Sequence, residues 1–347
     1  MNRPALLAAL AALVIMSPAL AQGGPLKVFV LAGQSNMEGK AQNKLWEHQA
    51  TDSKTAAFFA PFRDDDNASW VVRDDVWIKF LGRRGPLTLG FGSPGRTGLE
   101  FALGLRIGER CEEPVLLIKT AWGGRSIRKD FRPPSSGLPA DAVLEKELAD
   151  AVKRTQNNNE KRKRNDPLPT RAEIEGGYGR DYRLMIEDVT TTIRDLDELF
   201  PELKGREPVL SGFVWFQGWN DQYGGAELEY EQNLRNFIRD VRKDLGAADL
   251  PFVVGVMGQN GSAEAKGAML EIQKAQMEVA DMKRVAAVRT DELIDEAAEQ
   301  LYPEWKQRFK EWERTGSDHR YHYLGSAIWF SRIGFALADA AIALASK

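Results

Sequence analysis

Short apolar runs that end in glycine or small polar residues constrain the fold of this chain most. The first covers residues 27–32 and is followed by Gly33-Gln34-Ser35-Asn36. Apolar runs of this length, rich in β-branched residues, are typical of buried strands, and the glycines after them indicate turns. Stretches with helical spacing separate the runs, so we predict an α/β fold whose parallel sheet is covered by helices on both faces. The other predicted strands are residues 70–80, 114–119, 209–216, 251–257 and 284–289.

The composition narrows the class of protein. Of 347 residues, 43% are hydrophobic and 28% are charged, which is typical of a globular protein with a large core. The net charge of −3 provides no positive field for a polyanion, and no basic stripe is interleaved with aromatic residues. We therefore expect no nucleic-acid partner.

The N-terminus has the pattern of an export signal. Arg3 gives a positive start, residues 5–16 an apolar run, and Ala19-Leu20-Ala21 a small-residue cleavage site. Residues 1–21 are therefore predicted to be a signal peptide, which makes the protein secreted or periplasmic. We expect no later segment to be apolar enough to span a membrane.

The rest of the chain is predicted to form one domain, residues 22–347, with a polar insertion around residues 128–170. Its single cysteine, Cys111, can form no internal disulfide, so the exported fold must depend on its hydrophobic core. The basic run 161–164 is expected to be a solvated loop. The oligomeric state does not follow from the sequence.

Ser35 is the candidate nucleophile. Open α/β sheets bind ligands beyond the carboxyl ends of their strands, and the first predicted strand delivers Ser35 to that edge. The alternative interpretation is that Ser35 caps the helix that follows it.

A serine nucleophile needs a base, and the base needs a carboxylate that orients it. The chain has three histidines, of which His319 and His322 lie in one polar turn with Asp318. This turn precedes the last predicted helix, so it can supply base and carboxylate together. Asp318 and His319 are adjacent and would point apart in an extended segment, so we pair Asp318 with His322.

Acyl transfer also needs donors for the oxyanion. The candidates are the backbone amides of Ser35 and Gly124 and the side-chain amide of Gln217. Each follows the end of a predicted strand, so the three would converge on one crevice.

Four motifs occur in order along the chain: Gly33-Gln34-Ser35-Asn36-Met37, residues 119–126, Trp215-Phe216-Gln217-Gly218 with Asn220-Asp221, and the His322 turn. Together they resemble the sialate O-acetylesterase and carbohydrate esterase family 6 group of the SGNH hydrolase superfamily.

This resemblance implies a three-layer flavodoxin-like SGNH hydrolase fold with a mostly parallel five-stranded sheet. It also implies hydrolysis of acetyl esters on carbohydrates, such as acetylated xylan or sialic acid, without a metal or other cofactor. Carried over residue by residue, it makes Ser35 the nucleophile, His322 the base, and Ser35, Gly124 and Gln217 the oxyanion donors. Arg125 and Asn220 are expected to contact the substrate.

The sequence departs from the family pattern at two positions. Trp219 stands where the family often has Glu, and Asp318 lies four residues before His322 instead of three. The site therefore either contains the full triad or works as a Ser-His dyad. Two other functions stay open, namely a carbohydrate-binding protein with weak or no turnover and a lipase.

Overall fold

The computed structural model describes residues 24–346, and the predicted signal peptide lies outside the described residues. The strands are β1 (Pro25–Gly33), β2 (Ala41–Gln42), β3 (Val76–Phe80), β4 (Arg83–Pro86), β5 (Arg96–Thr97), β6 (Val115–Ala121), β7 (Glu207–Phe216), β8 (Phe252–Val256) and β9 (Val285–Arg289). Seven of them form the main sheet, in the order β4-β3-β6-β1-β7-β8-β9, and β2 pairs with β5 in a separate ribbon. All pairs in the main sheet are parallel except β3 with β4.

Five of these strands, β6-β1-β7-β8-β9, have the 2-1-3-4-5 order of flavodoxin-like folds. The predicted fold class is therefore confirmed. The sheet is larger than expected because β3 and β4 extend it beyond β6. β4 lies in the glycine-rich stretch of residues 82–98, which follows β3. This short antiparallel edge strand is polar, so no apolar pattern indicates it.

Helices cover both faces of the sheet. They are α1 (Ser35–Glu38), α2 (Asn43–Thr51), α3 (Ala56–Phe59), α4 (Glu100–Gly108), α5 (Asp141–Arg162), α6 (Arg171–Gly177), α7 (Arg180–Arg194), α8 (Leu196–Leu199), α9 (Tyr230–Asp244), α10 (Ala268–Glu278), α11 (Glu296–Leu301), α12 (Phe309–Trp312) and α13 (Ala327–Ala345). Along β1, Phe29 and Leu31 join one core, while Val28, Val30 and Ala32 join the other, as the two-residue period of a strand requires. The first core includes α2, α3, α4 and α11 to α13, and the second includes α7 to α10.

Two expectations about helices need correction. The polar insertion contains α5, a helix of 22 residues in which only Leu144 is buried, so the basic run begins at a helix end. The last helix, α13, is long and apolar enough to cross a membrane by length and composition, with a mean hydropathy of 1.5. It is this apolar because it packs against α4 and the sheet, and 56% of its most apolar window is buried.

Candidate active site

The strand register brings three turns to the same edge of the sheet. Gly33 at the end of β1 pairs with Ala121 of β6 on one side and with Phe216 of β7 on the other. The residues that follow these three positions therefore lie next to one another at the carboxyl edge of the sheet. Because β1 is the central strand of the flavodoxin-like order, Ser35 lies at the position where such sheets bind ligands.

Gly33 allows the turn that carries Ser35 to pass close to the end of β7. Its φ is +155°, and a Cβ at this position would lie 2.1 Å from the carbonyl oxygen of Phe216. Only glycine fits there without moving β7. The chain can consequently turn directly from β1 into α1, whose first residue is Ser35.

His322 contacts Ser35 although 287 positions separate them in the sequence. Nε2 of His322 lies 3.0 Å from Oγ of Ser35. The two turns are also joined by Asn36, whose side-chain amide donates to the carbonyl oxygen of Tyr321 at 3.1 Å. Ser35 is 7% exposed, so its hydroxyl is reachable from the pocket but shielded from bulk water.

Asp318 lies behind His322. Its Oδ2 atom is 3.1 Å from Nδ1 of His322, at ion-pair distance, but Nδ1 has no partner with hydrogen-bond geometry among the described residues. Arg96 donates to the same oxygen at 2.5 Å, and the His319 amide donates to Oδ1 at 2.7 Å. Burial alone would raise the pKa of Asp318, but its contacts with His322, the His319 amide and Arg96 hold the pKa well below its usual range.

The four-residue spacing of Asp318 and His322 is accommodated by an unusual turn. Tyr323, Leu324 and Gly325 have φ values of 52°, 59° and 57°, so three consecutive residues are left-handed. The carbonyl oxygen of Leu324 accepts from the amides of Ser317 and Asp318 at 2.9 and 3.0 Å. These bonds close the turn on itself and place the carboxylate beside the imidazole.

The glycine turn after β6 faces Ser35 from the other side. Gly124 has a φ of +73°, and a Cβ there would meet nothing within 4 Å, so glycine is needed for its backbone conformation and not for space. Neither the Ser35 amide nor the Gly124 amide donates to another protein group within residues 24–346. Both therefore remain available as donors to a ligand.

Asp221 anchors this glycine turn. Its carboxylate accepts from the amides of Ile127 and Arg128, each at 2.9 Å, and from Nε2 of Gln217 at 2.6 Å. Complete burial raises its pKa to about 6, although these three hydrogen bonds act in the opposite direction. The carboxylate thus positions the turn through neutral donors.

Two of the expected site residues are turned away from the pocket. Gln217 is 2% exposed, and its amide nitrogen donates to the carbonyl oxygen of Arg125 at 2.9 Å and to Asp221. Both amide hydrogens are therefore used, so the expectation that Gln217 donates to an oxyanion does not fit this geometry. The Arg125 guanidinium lies 2.9 Å from Asp181, where it pairs below the turn.

Asn220 faces the pocket in place of Gln217. It lies in the short 3₁₀ turn Trp219–Asp221, and its Oδ1 accepts from Nε2 of Gln34 at 3.2 Å. Since Gln34 donates to the oxygen, the amide nitrogen of Asn220 is left as a donor without an acceptor among the described residues. Asn220 was expected to contact the substrate, but no sequence signal indicated that it, rather than Gln217, would carry the exposed amide.

A buried ion pair supports the nucleophile turn from below. Lys119 and Glu100 are fully buried and lie 2.8 Å apart. The Lys119 ammonium also donates to the carbonyl oxygens of Glu38 and Phe91 at 2.8 and 2.9 Å, so all three of its hydrogens are used. A lysine inside an apolar strand was visible in the sequence, but its partner was not.

A cavity of about 480 Å³ opens over Ser35 and His322, within the usual size range of ligand sites. A second cavity, of about 560 Å³, lies at the opposite end of the strands and contains none of the candidate catalytic residues. Among the described residues, no group of three or more His, Cys, Asp or Glu side chains is arranged to hold a metal ion. The first cavity is lined by Ser35, Lys40, Gly123, Gly124, Trp219, Asn220, Tyr223, Tyr321 and His322.

Comparison with protein families identifies the chain. The family model described as "Carbohydrate esterase, sialic acid-specific acetylesterase" matches residues 25–166 and 175–301, which is most of the chain. The chain belongs to this carbohydrate esterase family. The match ends at residue 301, before the turn that carries Asp318 and His322. The family assignment therefore does not depend on that turn. No curated protein matches.

The fold is similar to those of solved structures. A protein from Arabidopsis thaliana is similar over 92% of this chain and 98% of its own, with 15% identity and a TM-score of 0.52. A carbohydrate acetylesterase from Xanthomonas citri is similar over 92% of this chain and 56% of its own, with 15% identity and a TM-score of 0.49. NanS is similar over 77% of this chain and 78% of its own, with 11% identity and a TM-score of 0.41.

Proposed function

We propose that this carbohydrate esterase is an exported serine esterase that removes O-acetyl groups from carbohydrates through an acetyl-enzyme on Ser35. The observation that carries the proposal is the 3.0 Å contact between Oγ of Ser35 and Nε2 of His322 at the base of the cavity. A general base at this distance can accept the serine proton directly. The signal pattern of residues 1–21 supports export, which N-terminal sequencing of the mature protein would test by a start at Gln22.

In the first half of the reaction, Oγ of Ser35 attacks the acetyl carbonyl carbon while Nε2 of His322 takes the serine proton. The negative charge that develops on the carbonyl oxygen is met by the amides of Ser35 and Gly124, with the Asn220 amide as the third donor. Asp318 stabilises the imidazolium that forms. His322 then returns the proton to the sugar oxygen as the C–O bond breaks, which leaves an acetyl group on Ser35.

In the second half, water attacks the acetyl-enzyme. His322 takes a proton from the water, the same donors hold the second tetrahedral oxyanion, and the Ser35 hydroxyl is regenerated as acetate leaves. One imidazole thus serves both half-reactions. Asp318 remains a carboxylate throughout because its pKa is held low.

The direct test is the release of 4-nitrophenol from its acetate ester. We expect Ser35→Ala to lower kcat by about a millionfold, as is typical when a serine nucleophile is removed. Ser211→Ala is the matched control, since within residues 24–346 its hydroxyl donates only to the carbonyl oxygen of Val209, and Ser211 lines the second cavity at the opposite end of the strands. Equal activity of Ser35→Ala and wild type would contradict the proposal.

The second candidate is a carbohydrate-binding protein with little or no turnover. The contact between Asp318 and His322 favours it, because this contact lacks hydrogen-bond geometry and a poorly oriented imidazole is a weaker base. Binding of glycans without acetate release from any acetylated sugar would select this alternative. Turnover that depends on Ser35 would exclude it.

A further inference from the structure

We infer that Tyr323 is a positioning residue, whose buried hydroxyl holds the neighbouring His322 in place against Ser35. This inference rests on the proposed function and adds to it a residue that does not reach the substrate. Tyr323 is fully buried and does not line the cavity over Ser35. Its effect on the reaction therefore passes through His322.

The backbone of Tyr323 has an unfavourable conformation. Tyr323 and Leu324 have φ values of 52° and 59°, and neither residue is a glycine. A left-handed conformation brings the Cβ of such a residue close to the following carbonyl oxygen, so two in succession persist only where other contacts hold them. Because His322 directly precedes these two residues, relaxation of the turn would move its imidazole relative to Asp318 and Ser35.

The hydroxyl of Tyr323 makes two hydrogen bonds that hold this turn. It accepts from the amide of Gly258 at 2.9 Å. It also lies 2.8 Å from Oγ1 of Thr290. Thr290 donates its own hydrogen to the carbonyl oxygen of Val256 at 2.6 Å, so Tyr323 is the donor in the pair with Thr290. Burial raises the pKa of Tyr323, so the phenol keeps the proton that it donates.

These two bonds join the turn that carries His322 to two strands of the main sheet. Gly258 follows the end of β8, and Thr290 follows the end of β9. A Cβ at Gly258 would lie 2.2 Å from the amide nitrogen of Asp291, so the chain after β8 is itself packed tightly against the chain after β9. The phenol is thus anchored to the carboxyl edge of the same sheet whose strand β1 leads to Ser35.

Packing of the Tyr323 ring does not need the hydroxyl. Three aromatic rings surround it at centroid distances of 5.1 to 6.0 Å, namely those of Phe216, Trp329 and Phe330. A phenylalanine would fill the same space. A polar group in an apolar core is unfavourable unless its hydrogen bonds are made, and a satisfied one specifies a single arrangement. The hydroxyl therefore fixes the ring, and with it the backbone next to His322.

The first experiment measures hydrolysis of 4-nitrophenyl acetate by Tyr323→Phe. We expect kcat to fall by about tenfold and KM to stay within about twofold of wild type, because the lost hydrogen bonds misplace the base and leave the cavity unchanged. Tyr182→Phe is the matched control, since Tyr182 is also buried but donates to Asp244 at 2.7 Å and packs in the second core. It should leave kcat within about twofold of wild type.

The wild type separates the proposed function from the role of Tyr323. Absence of Ser35-dependent hydrolysis of 4-nitrophenyl acetate by the wild type would overturn the proposed function. An active wild type whose kcat is unchanged in Tyr323→Phe would overturn only the role of Tyr323.

The second experiment tests whether the hydroxyl acts through the imidazole. The rate at which a fluorophosphonate ester labels Ser35 would be measured with and without Tyr323→Phe, both in the wild type and in His322→Ala. We expect about a tenfold loss when His322 is present and less than about a twofold change when it is absent, since effects that pass through one group are not additive. An equal loss in both backgrounds would show a general structural role and overturn the inference.

The third experiment changes the partner instead of the tyrosine. Thr290→Val removes the acceptor of the Tyr323 hydroxyl and should lower kcat by about tenfold, whereas Thr290→Ser keeps a hydroxyl there and should restore kcat to within about twofold of wild type. Urea unfolding of each variant checks that folded proteins are compared. An equal loss of kcat in Thr290→Val and Thr290→Ser would contradict the part played by this hydrogen bond.

Discussion

Two carboxylates flank Ser35, and their electrostatic environments are opposite. Asp318, on the histidine side, is beside the cation Arg96, and its pKa is lowered. Asp221, on the glycine-turn side, is fully buried among neutral donors, and its pKa is raised to about 6. The first carboxylate stabilises a charge that appears during the reaction, whereas the second only fixes the backbone. A low pKa is needed for the first task and not for the second.

Apart from the loss of Ser35 itself, the largest expected effect is on the histidine side. Asp318→Asn should lower kcat by up to about 10⁴-fold, because the neutral amide cannot stabilise the imidazolium of His322. Thermal unfolding checks that the fold survives. A loss of less than about tenfold in kcat would show that the enzyme works as a Ser-His dyad.

The pH dependence of stability separates the two carboxylates by sign. The folded protein holds the Asp221 proton up to about pH 6, whereas the unfolded chain releases it near the ordinary aspartate value of 3.8. The free energy of unfolding of the wild type relative to Asp221→Asn should therefore fall by about 3 kcal/mol as the pH rises from about 4 to about 7. Urea unfolding at several pH values measures this difference, and parallel curves for the two proteins would refute it.

The glycine turn can be tested with a matched pair of variants. Gly124 and Gly205 both have positive φ, +73° and +74°, and a Cβ added at either position would have no atom within 4 Å, so alanine should strain both backbones through φ to a similar degree. Only Gly124→Ala displaces a proposed oxyanion donor, and we expect it to lower kcat by about a hundredfold. Equal kcat values for the two variants would remove Gly124 from the oxyanion site.

The smallest effect concerns the cation beside Asp318. A lowered pKa adds stability above the unfolded pKa, and this stability is lost as the pH falls toward the folded pKa. Arg96→Met should bring the pKa of Asp318 closer to normal, so acid unfolding should begin at a higher pH, and kcat should fall by no more than about tenfold. Circular dichroism during acid titration gives the midpoint, and a midpoint at lower pH would contradict this pairing.

The parts of the fold that could be predicted from the sequence are those with a strong local pattern. The strands around β1 are apolar runs that end in glycine, so both their existence and the position of Ser35 at a strand end were predictable. Strand β4 and helix α5 were missed. The first is a polar edge strand inside a glycine-rich stretch, and the second buries only Leu144 and therefore has no apolar stripe.

Within the candidate site, the sequence identified residue types but not side-chain directions. Gln217 and Asn220 are three residues apart, and the 3₁₀ turn that begins between them directs one amide into the interior and the other into the cavity. Arg96 reaches Asp318 across 222 positions, so only the folded chain reveals the pair.

Covalent labelling of Ser35 tests the central claim most directly. The intact enzyme would be treated with a fluorophosphonate ester, and the modified peptide would be located by mass spectrometry. We predict one adduct on Ser35, formed much more slowly in His322→Ala because its base is missing. An adduct on a different serine, or none on Ser35 while the esterase activity is lost, would contradict this mechanism.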